Sequence, residues 1–145
     1  ALAKYRRRFS GPFLDRFDVR VLVHRPGVDE LLGDDLGENT ESVAQRVVRT
    51  QSIALSRQGM LNARLSGELL DQFAPVSDSG MSLLRSELEI GRLTGRGLHR
   101  VRRVARTLAD RDMHEGAITD RYIAAALALR ARIAPRRGDD LRQVV

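Results

Sequence analysis

The chain has 145 residues, of which 42% are hydrophobic and 30% are charged, a balance typical of one globular domain. It carries a net charge of +6 and no cysteine, which excludes disulfides and thiolate metal sites. No apolar stretch approaches the roughly 18 residues that a membrane-spanning helix needs, and no secretory signal is present, so the cytoplasm is the expected location.

The basic residues are almost all arginine, and they lie mainly toward the two ends of the chain. Lys4 is the only lysine, whereas residues 26–41 contain six acidic residues and no basic one. Arginine makes planar, bidentate contacts with phosphate, so the bias is compatible with phosphate or nucleic-acid recognition. A GC-rich genome produces the same bias throughout its proteins, and the composition leaves both explanations open.

The first part of the chain predicts a helical turn, a strand and a connector. Glycine and proline at Gly11 and Pro12 end a basic lead, after which residues 13–17 can form one helical turn. Residues 18–24 alternate and are rich in valine, which predicts the only strand of the chain. One strand cannot satisfy its own backbone hydrogen bonds, so in a longer protein it is expected to join a sheet. Within this chain it must pair elsewhere or fray. Residues 26–41 are predicted to be a mobile acidic connector with a short turn at 29–32.

Helical periodicity continues through residues 42–134 and predicts an all-helical bundle. Helices are expected over 42–57 and 67–73, and a third is expected to reach about residue 93 after a cap at Ser77 or Asp78. The predicted caps of the last two helices are Thr94 and Thr119. The predicted fold class is mainly α, a helical bundle with one N-terminal strand. Residues 135–145 are predicted to form a charged tail.

Apolar positions in the bundle predict which helix faces are buried. The predicted inward residues of the first and third helices are Val43, Val47, Ala54, Met81, Leu84 and Leu88. Those of the basic helix after Thr94 are Leu98, Val101, Val104, Ala105 and Leu108.

Two arginine-bearing segments resemble motifs of one ATPase family. The sequence S-G-P-F-L-D-R-F-D-V at residues 10–19 resembles the S-x-P-x-L-x-R-F-D stretch of helicase-type AAA+ ATPases. The sequence T-G-R-G-L-H-R at residues 94–100 resembles their sensor-2 helix. Residues 58–67 and 97–110 are also similar to the magnesium-chelatase-like, competence-type ATPases of bacteria. Together these segments follow the family's order and cover most of residues 5–130.

The resemblance implies roles for two arginines. Arg16 matches the arginine finger, which reaches ATP bound by a neighbouring subunit, and Arg96 matches sensor 2, which contacts the γ-phosphate. A finger acts in trans, so the resemblance implies a homo-oligomeric ring, expected to be a hexamer. A guanidinium in a dry interface stabilises the charge that accumulates on the transferred phosphoryl oxygens. Arg96 is also predicted to lie in the first turn of a helix, where backbone amides and the dipole favour an anion.

Essential parts of an ATPase are missing from this sequence. It contains no G-x-x-x-x-G-K-[ST] loop and no apolar strand ending in paired acids. The resemblance therefore implies a C-terminal piece in which residues 1–25 end the AAA+ core, 26–41 form the connector and 42–134 form the helical lid. On this resemblance the N-terminal strand is left over from an α/β core that this sequence lacks. ATP and Mg²⁺ are expected cofactors of the full-length protein, and the piece alone is expected to be inactive. Competence-type members remodel DNA and chelatase members insert metal into a porphyrin; the residues look more like the competence type without separating the two substrates.

Plainer alternatives accompany these assignments. Arg16 is compatible with a surface ion pair. Arg96 shares one face with Arg92, Arg100 and Arg103, as on the solvated side of an amphipathic helix, and the same solvated interpretation applies to Arg102. A role beyond surface charge is left open for Arg100, Arg102, Arg103 and Arg106. The second functional hypothesis is a stand-alone basic helical module that binds nucleic acid or a partner protein. Few aromatic residues are available for stacking on bases, and no helix-turn-helix spacing is evident.

The histidines and serines predict no further chemistry. His24, His99 and His114 have no partner at metal-ligand spacing, so no metal site is expected. Ser10 and Ser66 lie near glycines but outside a G-x-S-x-G turn, which argues against a hydrolase triad.

Overall fold

A computed structural model of the chain describes residues 16–21, 23, 25–33 and 37–130. Within them six α-helices follow one another, and a 3-10 helix at Asn62–Arg64 separates the second from the third. The α-helices are α1 (Val28–Leu32), α2 (Thr40–Gln58), α3 (Gly67–Phe73), α4 (Asp78–Glu89), α5 (Gly95–Arg111) and α6 (Asp120–Ala128). The predicted mainly α fold is confirmed, and the turn predicted at 29–32 is the helix α1.

Local sequence determines where most of these helices begin. The side chains of Asn39, Ser77 and Thr94 each accept a hydrogen bond from the backbone N–H three residues later, at the start of α2, α4 and α5. Thr119 occupies the N-cap position of α6 without a side-chain hydrogen bond. Helix α2 ends at Gly59, whose φ of 71° lies in the left-handed region that glycine favours.

Helix α5 is the central element of the bundle. It packs against α2, the 3-10 helix, α3 and α6, and α6 also packs against α4. Of the predicted stripe on α5, Val101 and Ala105 are fully buried, and the other three residues pack at the edge of the core. The remaining core residues are Leu65, Leu70, Ala74, Leu84, Leu93, Ala109, Ile118, Tyr122, Ile123 and Ala126.

A parallel bridge joins the loops that precede α4 and α6. The N–H of Ser77 donates to the carbonyl of Ile118 at 3.0 Å, and the N–H of Ile118 donates to the carbonyl of Pro75 at 2.8 Å. Gly80 lies against this bridge, because a Cβ there would be 2.8 Å from Cγ1 of Val76 and 2.9 Å from the carbonyl oxygen of Ile118. The close approach of α4 to the bridge therefore requires glycine at this position.

Two of the predicted inward faces are partly wrong. In α2, Ala54 is buried but Val43 and Val47 are exposed, and in α4, Leu84 is buried whereas Met81 and Leu88 are exposed. Periodicity identifies residues that share a face, but burial also requires another element to cover that face. The described elements cover these four side chains only in part and leave them 37–47% exposed.

The strand predicted over residues 18–24 does not form in its described part, residues 18–21 and 23. A ladder needs a second strand, and the described residues supply none for this segment. Instead the N–H of Arg20 donates to the carbonyl of Leu129 at 2.7 Å, just after α6. The predicted basic lead before Arg16, and the tail at 135–145, lie outside the described residues. No helix in the described ranges is both long and apolar enough to cross a membrane.

Candidate functional site

Arg96 lies in the first turn of α5, and its side chain is exposed. Thr94 caps the start of the helix, since its Oγ1 accepts a hydrogen bond from the N–H of Gly97 at 3.0 Å. Gly97 is tightly surrounded, and a Cβ there would lie 2.9 Å from Cδ1 of Leu93. Arg96 makes no hydrogen bond or ion pair within the described part of the chain. Its guanidinium is therefore not engaged by the residues that the structure describes.

Arg16 belongs to an irregular segment that lies against α5. Its exposed side chain has no ion-pair partner among the described residues, but its carbonyl accepts a hydrogen bond from Nη1 of Arg100 at 2.8 Å. The same Nη1 atom lies 2.6 Å from Oδ1 of Asp18. Arg100 follows Arg96 by one helical turn and lies on the same face of α5. The hydrogen bond from Arg100 therefore attaches the backbone of Arg16 to the helix that carries Arg96.

Residues 16–20, here called the docked segment, are also held by the end of α6. Nη1 of Arg130 donates to the carbonyl of Phe17 at 2.9 Å, and the N–H of Arg20 donates to the carbonyl of Leu129 at 2.7 Å. Arg130 also reaches α5, since its Nη2 would lie 3.5 Å from a Cβ at Gly97. The structure thus brings the backbone that bears one predicted site residue onto the helix that bears the other.

A buried polar cluster, which sequence reasoning missed, lies at the opposite end of α5. Asp110 is 1% exposed and accepts two hydrogen bonds from Arg57, from Nη1 to Oδ1 at 2.6 Å and from Nη2 to Oδ2 at 2.9 Å. Asn62 donates to Oδ2 at 2.7 Å, and Nε of Arg106 donates to Oδ1 at 3.0 Å. Each carboxylate oxygen therefore receives two donors, which stabilises the buried negative charge.

Arg106 is the largest fully buried side chain among the described residues. Its Nη1 donates to the carbonyl of Gly116 at 3.0 Å, and its Nη2 donates to the carbonyl of His114. Burial lowers the pKa of Arg106; Asp110 opposes that shift and the charge of Arg57 adds to it. An arginine pKa starts so high that the side chain stays charged at pH 7. The cluster thus ties α2, the 3-10 helix and the loop after α5 to one helix end.

The middle of α5 uses two more arginines for internal contacts. Arg102 is buried, with Nη1 donating to Oδ1 of Asp71 at 2.7 Å and Nη2 donating to the carbonyl of Ala74 at 3.2 Å. Nε of the half-buried Arg103 donates to the carbonyl of Leu65 at 2.8 Å. The interpretation of this helix's arginines as a solvated face is therefore wrong for Arg102, and Arg106 is not surface charge either.

One signal in the sequence pointed to the buried cluster. Arg106 and Asp110 are four residues apart, the spacing of an ion pair along one helix. Arg57 and Asn62, by contrast, precede Asp110 by 53 and 48 residues, so no local pattern joins them to it.

The described histidines take part in packing and local hydrogen bonding. Nε2 of His114 lies 3.0 Å from the carbonyl of Ala117, and its ring lies 5.4 Å from that of Tyr122. The ring of His99 lies beside Gly67, 3.3 Å from where a Cβ would be. Across the described ranges, histidines and carboxylates form no group able to hold a metal ion; His24 lies outside them.

The family of the chain follows from comparison with known proteins. The family model described as magnesium chelatase, subunit ChlI C-terminal, matches residues 37–130. The chain belongs to this magnesium-chelatase-like family and corresponds to its C-terminal domain. The matched range contains Arg96 and the whole buried cluster around Asp110, whereas Arg16 precedes it.

Individual relatives extend the similarity to most of the chain. It is 32% identical over 133 residues to competence protein ComM of Haemophilus influenzae, which covers 91% of this chain and 26% of ComM. It is 39% identical over 137 residues to an uncharacterized protein of Mycobacterium tuberculosis, and the match covers 92% of this chain and 27% of that protein. It is 35% identical over 130 residues to YifB of Escherichia coli, and the match covers 88% of this chain and 25% of YifB. The chain spans about a quarter of the length of the curated relatives it matches.

Proposed function

We propose that this chain is the helical lid of a ring-forming AAA+ ATPase and contributes two arginines to ATP hydrolysis. Arg96 acts as sensor 2 toward ATP in its own subunit, and Arg16 acts as the arginine finger toward ATP in the neighbouring subunit. The phosphate-binding loop and the residues that hold Mg²⁺ lie in a part of the full-length protein outside this chain. The full-length ring is expected to be a hexamer located in the cytoplasm.

The observation that supports this proposal is the selective availability of one arginine on α5. Helix α5 carries six arginines, and five of them contact acceptors within the described residues. Arg96 alone has no such contact there, and it lies where the amides and dipole of the helix start favour an anion. An exposed guanidinium at this end is suited to the γ-phosphate of ATP.

DNA is the proposed substrate of the motor. One relative is named a competence protein, and that name favours DNA over a porphyrin. The alternative of a stand-alone nucleic-acid-binding module has less support, because most arginines of the basic helix are engaged within the protein. We therefore expect DNA to stimulate hydrolysis by the full-length ring. Stimulation that is absent across single- and double-stranded DNA would argue against this substrate.

Mixed rings test the two arginine roles. In the full-length protein, Arg16→Ala and Arg96→Ala should each lower ATP hydrolysis, by about 10³-fold or more for a finger. An Arg96→Ala subunit keeps its finger and an Arg16→Ala subunit keeps its sensor, so a ring that contains both has some intact interfaces. Mixed rings should regain ATPase activity that neither variant shows alone.

Failure of that recovery, with mixed assembly confirmed by mass spectrometry, would mean that the two arginines act in the same subunit or that all interfaces of the ring must hydrolyse ATP together. A second measurement uses the 145-residue chain alone. Calorimetric titration at millimolar ATP should be almost silent, because two arginines without a phosphate-binding loop leave most of the nucleotide charge unpaired. Submicromolar binding would contradict the assignment of this chain as a lid.

A further inference from the structure

Arg100 connects the two predicted site residues within one subunit. It lies one turn after Arg96 on α5, and its Nη1 atom contacts both the carbonyl of Arg16, at 2.8 Å, and Oδ1 of Asp18, at 2.6 Å. These acceptors flank Phe17, whose own carbonyl accepts from Arg130 at 2.9 Å. The guanidinium of Arg100 therefore binds the carbonyl group bonded directly to the Cα atom of Arg16.

We propose that Arg100 is a positioning residue for the arginine finger. It holds the peptide between residues 16 and 17 against α5, and so fixes where Arg16 projects toward the neighbouring subunit. This inference rests on the proposed function, because it requires Arg16 to act as a finger. It adds a physical link between the helix that contacts a subunit's own ATP and the arginine offered to the next ATP in the ring.

The docked segment has no regular secondary structure after Arg16. Arg16 lies in a turn and residues 17–20 contain no helix or strand, so within the docked segment neither a helical hydrogen-bond series nor a ladder orders the backbone. A catalytic group must nevertheless be placed to within about 1 Å, since a misplacement of that size can cost about 10²-fold in rate. Hydrogen bonds from α5 and α6 are what the described structure offers for this purpose.

The exposure of the ion pair between Arg100 and Asp18 also favours a role in positioning Arg16 over a role in stabilising the fold. The side chains of Arg100 and Asp18 are 28% and 51% exposed, and pairs this exposed contribute little to folding. Arg100 also lies outside the buried core, which is centred on Val101 and Ala105. Loss of Arg100 should consequently disturb the docked segment and leave the bundle folded.

The first test is kinetic and uses the full-length protein. Arg100→Ala should lower kcat about 10- to 100-fold, whereas KM for ATP should change less than about 2-fold, because a finger acts mainly in the transition state. Arg100→Lys keeps a charge and a donor and should recover part of the lost kcat. Arg103→Ala is the matched control, since it removes an arginine-to-carbonyl bond from the same helix without touching the docked segment. It should keep the parental kcat, and both alanine variants should assemble into rings.

Mixed rings then assign Arg100 to the finger or to sensor 2. If Arg100 acts through Arg16, mixing Arg100→Ala with Arg96→Ala subunits restores some activity, because some interfaces then contain an intact sensor and an intact finger. Mixing Arg100→Ala with Arg16→Ala restores none, because neither subunit offers a working finger. The opposite pattern is recovery with Arg16→Ala and none with Arg96→Ala. It would show that Arg100 acts through Arg96 and would overturn the proposal.

Three other results would also overturn it. Parental kcat in Arg100→Ala would show that the finger needs no such support, while strong defects in Arg16→Ala and Arg96→Ala would leave the proposed function standing. Equal loss of kcat in Arg100→Ala and Arg103→Ala would indicate a general effect on the helix. If neither Arg16→Ala nor Arg96→Ala affects hydrolysis, the proposed function fails and this inference fails with it.

Discussion

The two ends of α5 use the same residue type in opposite ways. At the C-terminal end, Arg106 is buried, and it shares Asp110 with Arg57. At the N-terminal end, Arg96 is exposed and contacts no acceptor in the described ranges. Arg100 lies between these two ends, and its guanidinium donates hydrogen bonds to the docked segment.

This difference shows that the supply of acceptors, and not the number of arginines, decides which arginines are engaged within the described structure. A buried arginine persists where acceptors fully satisfy it, because an unpaired buried charge costs several kcal/mol. An arginine without an acceptor must stay in water until a ligand arrives. The four predictions below test this contrast, beginning with the buried end.

Asp110→Ala should cause the largest loss of stability. It leaves the guanidiniums of Arg57 and Arg106 beside each other without their shared carboxylate, and removing one partner of a buried ion pair costs about 3–5 kcal/mol. Urea denaturation of the chain measures the free energy of unfolding. Glu115→Ala, which removes an exposed carboxylate that has no ion pair among the described residues, is the control and should unfold much like the parent. A cost below about 1 kcal/mol for Asp110→Ala would show that the cluster contributes little.

Arg57→Ala should loosen α2 in particular. Arg57 supplies two hydrogen bonds to Asp110, and bonds to charged groups contribute about 1.5–3 kcal/mol before allowing for its partial exposure. We expect a loss of about 2 kcal/mol and faster amide hydrogen exchange in α2 than in α6. Arg46→Ala on the same helix, which breaks only an exposed pair with Glu38, should not change α2 exchange. Uniform acceleration over all helices would argue that Arg57 does not act on α2 specifically.

Asp112→Asn should reduce the sensitivity to acid slightly. A hydrogen bond from Arg111, and the charges of Arg111 and Arg121, lower the pKa of Asp112 below its ordinary value of 3.8. A carboxylate with a lowered pKa stabilises the fold above its unfolded pKa, and this contribution is lost as pH falls through the folded pKa. The drop in Tm between pH 5 and pH 2.5 should thus be smaller in the variant. A drop equal to that of the parent would contradict the shift.

Arg96→Ala should have the smallest effect on the fold. Exposed substitutions away from caps and cores usually change stability by less than about 0.5 kcal/mol. Thermal unfolding of the chain should therefore give a Tm close to that of the parent, in contrast to its effect on ATP hydrolysis in the full-length ring. A loss above about 1 kcal/mol would reveal a structural contact for Arg96 and weaken its assignment as sensor 2.

Much of the helical architecture was predictable from local sequence. The limits of α3 and the cap at Thr94 were predicted correctly, and Ser77 is the cap of α4 from the two predicted alternatives, Ser77 and Asp78. Caps are predictable because capping involves residues only three positions apart. The same locality placed Arg96 in the first turn of a basic helix, and the resemblance around that turn correctly identified the family. The catalytic roles of Arg16 and Arg96 stay predictions.

What the sequence alone determined, then, is which residues form helices, where several of those helices begin and which side chains share a face. The tertiary structure decided which faces are covered: Val43 and Met81 remain exposed although their spacing matches a buried stripe. It also decided which arginines are occupied, since Arg57 reaches Asp110 across 53 positions and Arg100 reaches the carbonyl of Arg16 across 84. The physical reason is that helix formation depends on neighbours within one turn, whereas burial and charge pairing depend on elements that meet only after the chain has folded.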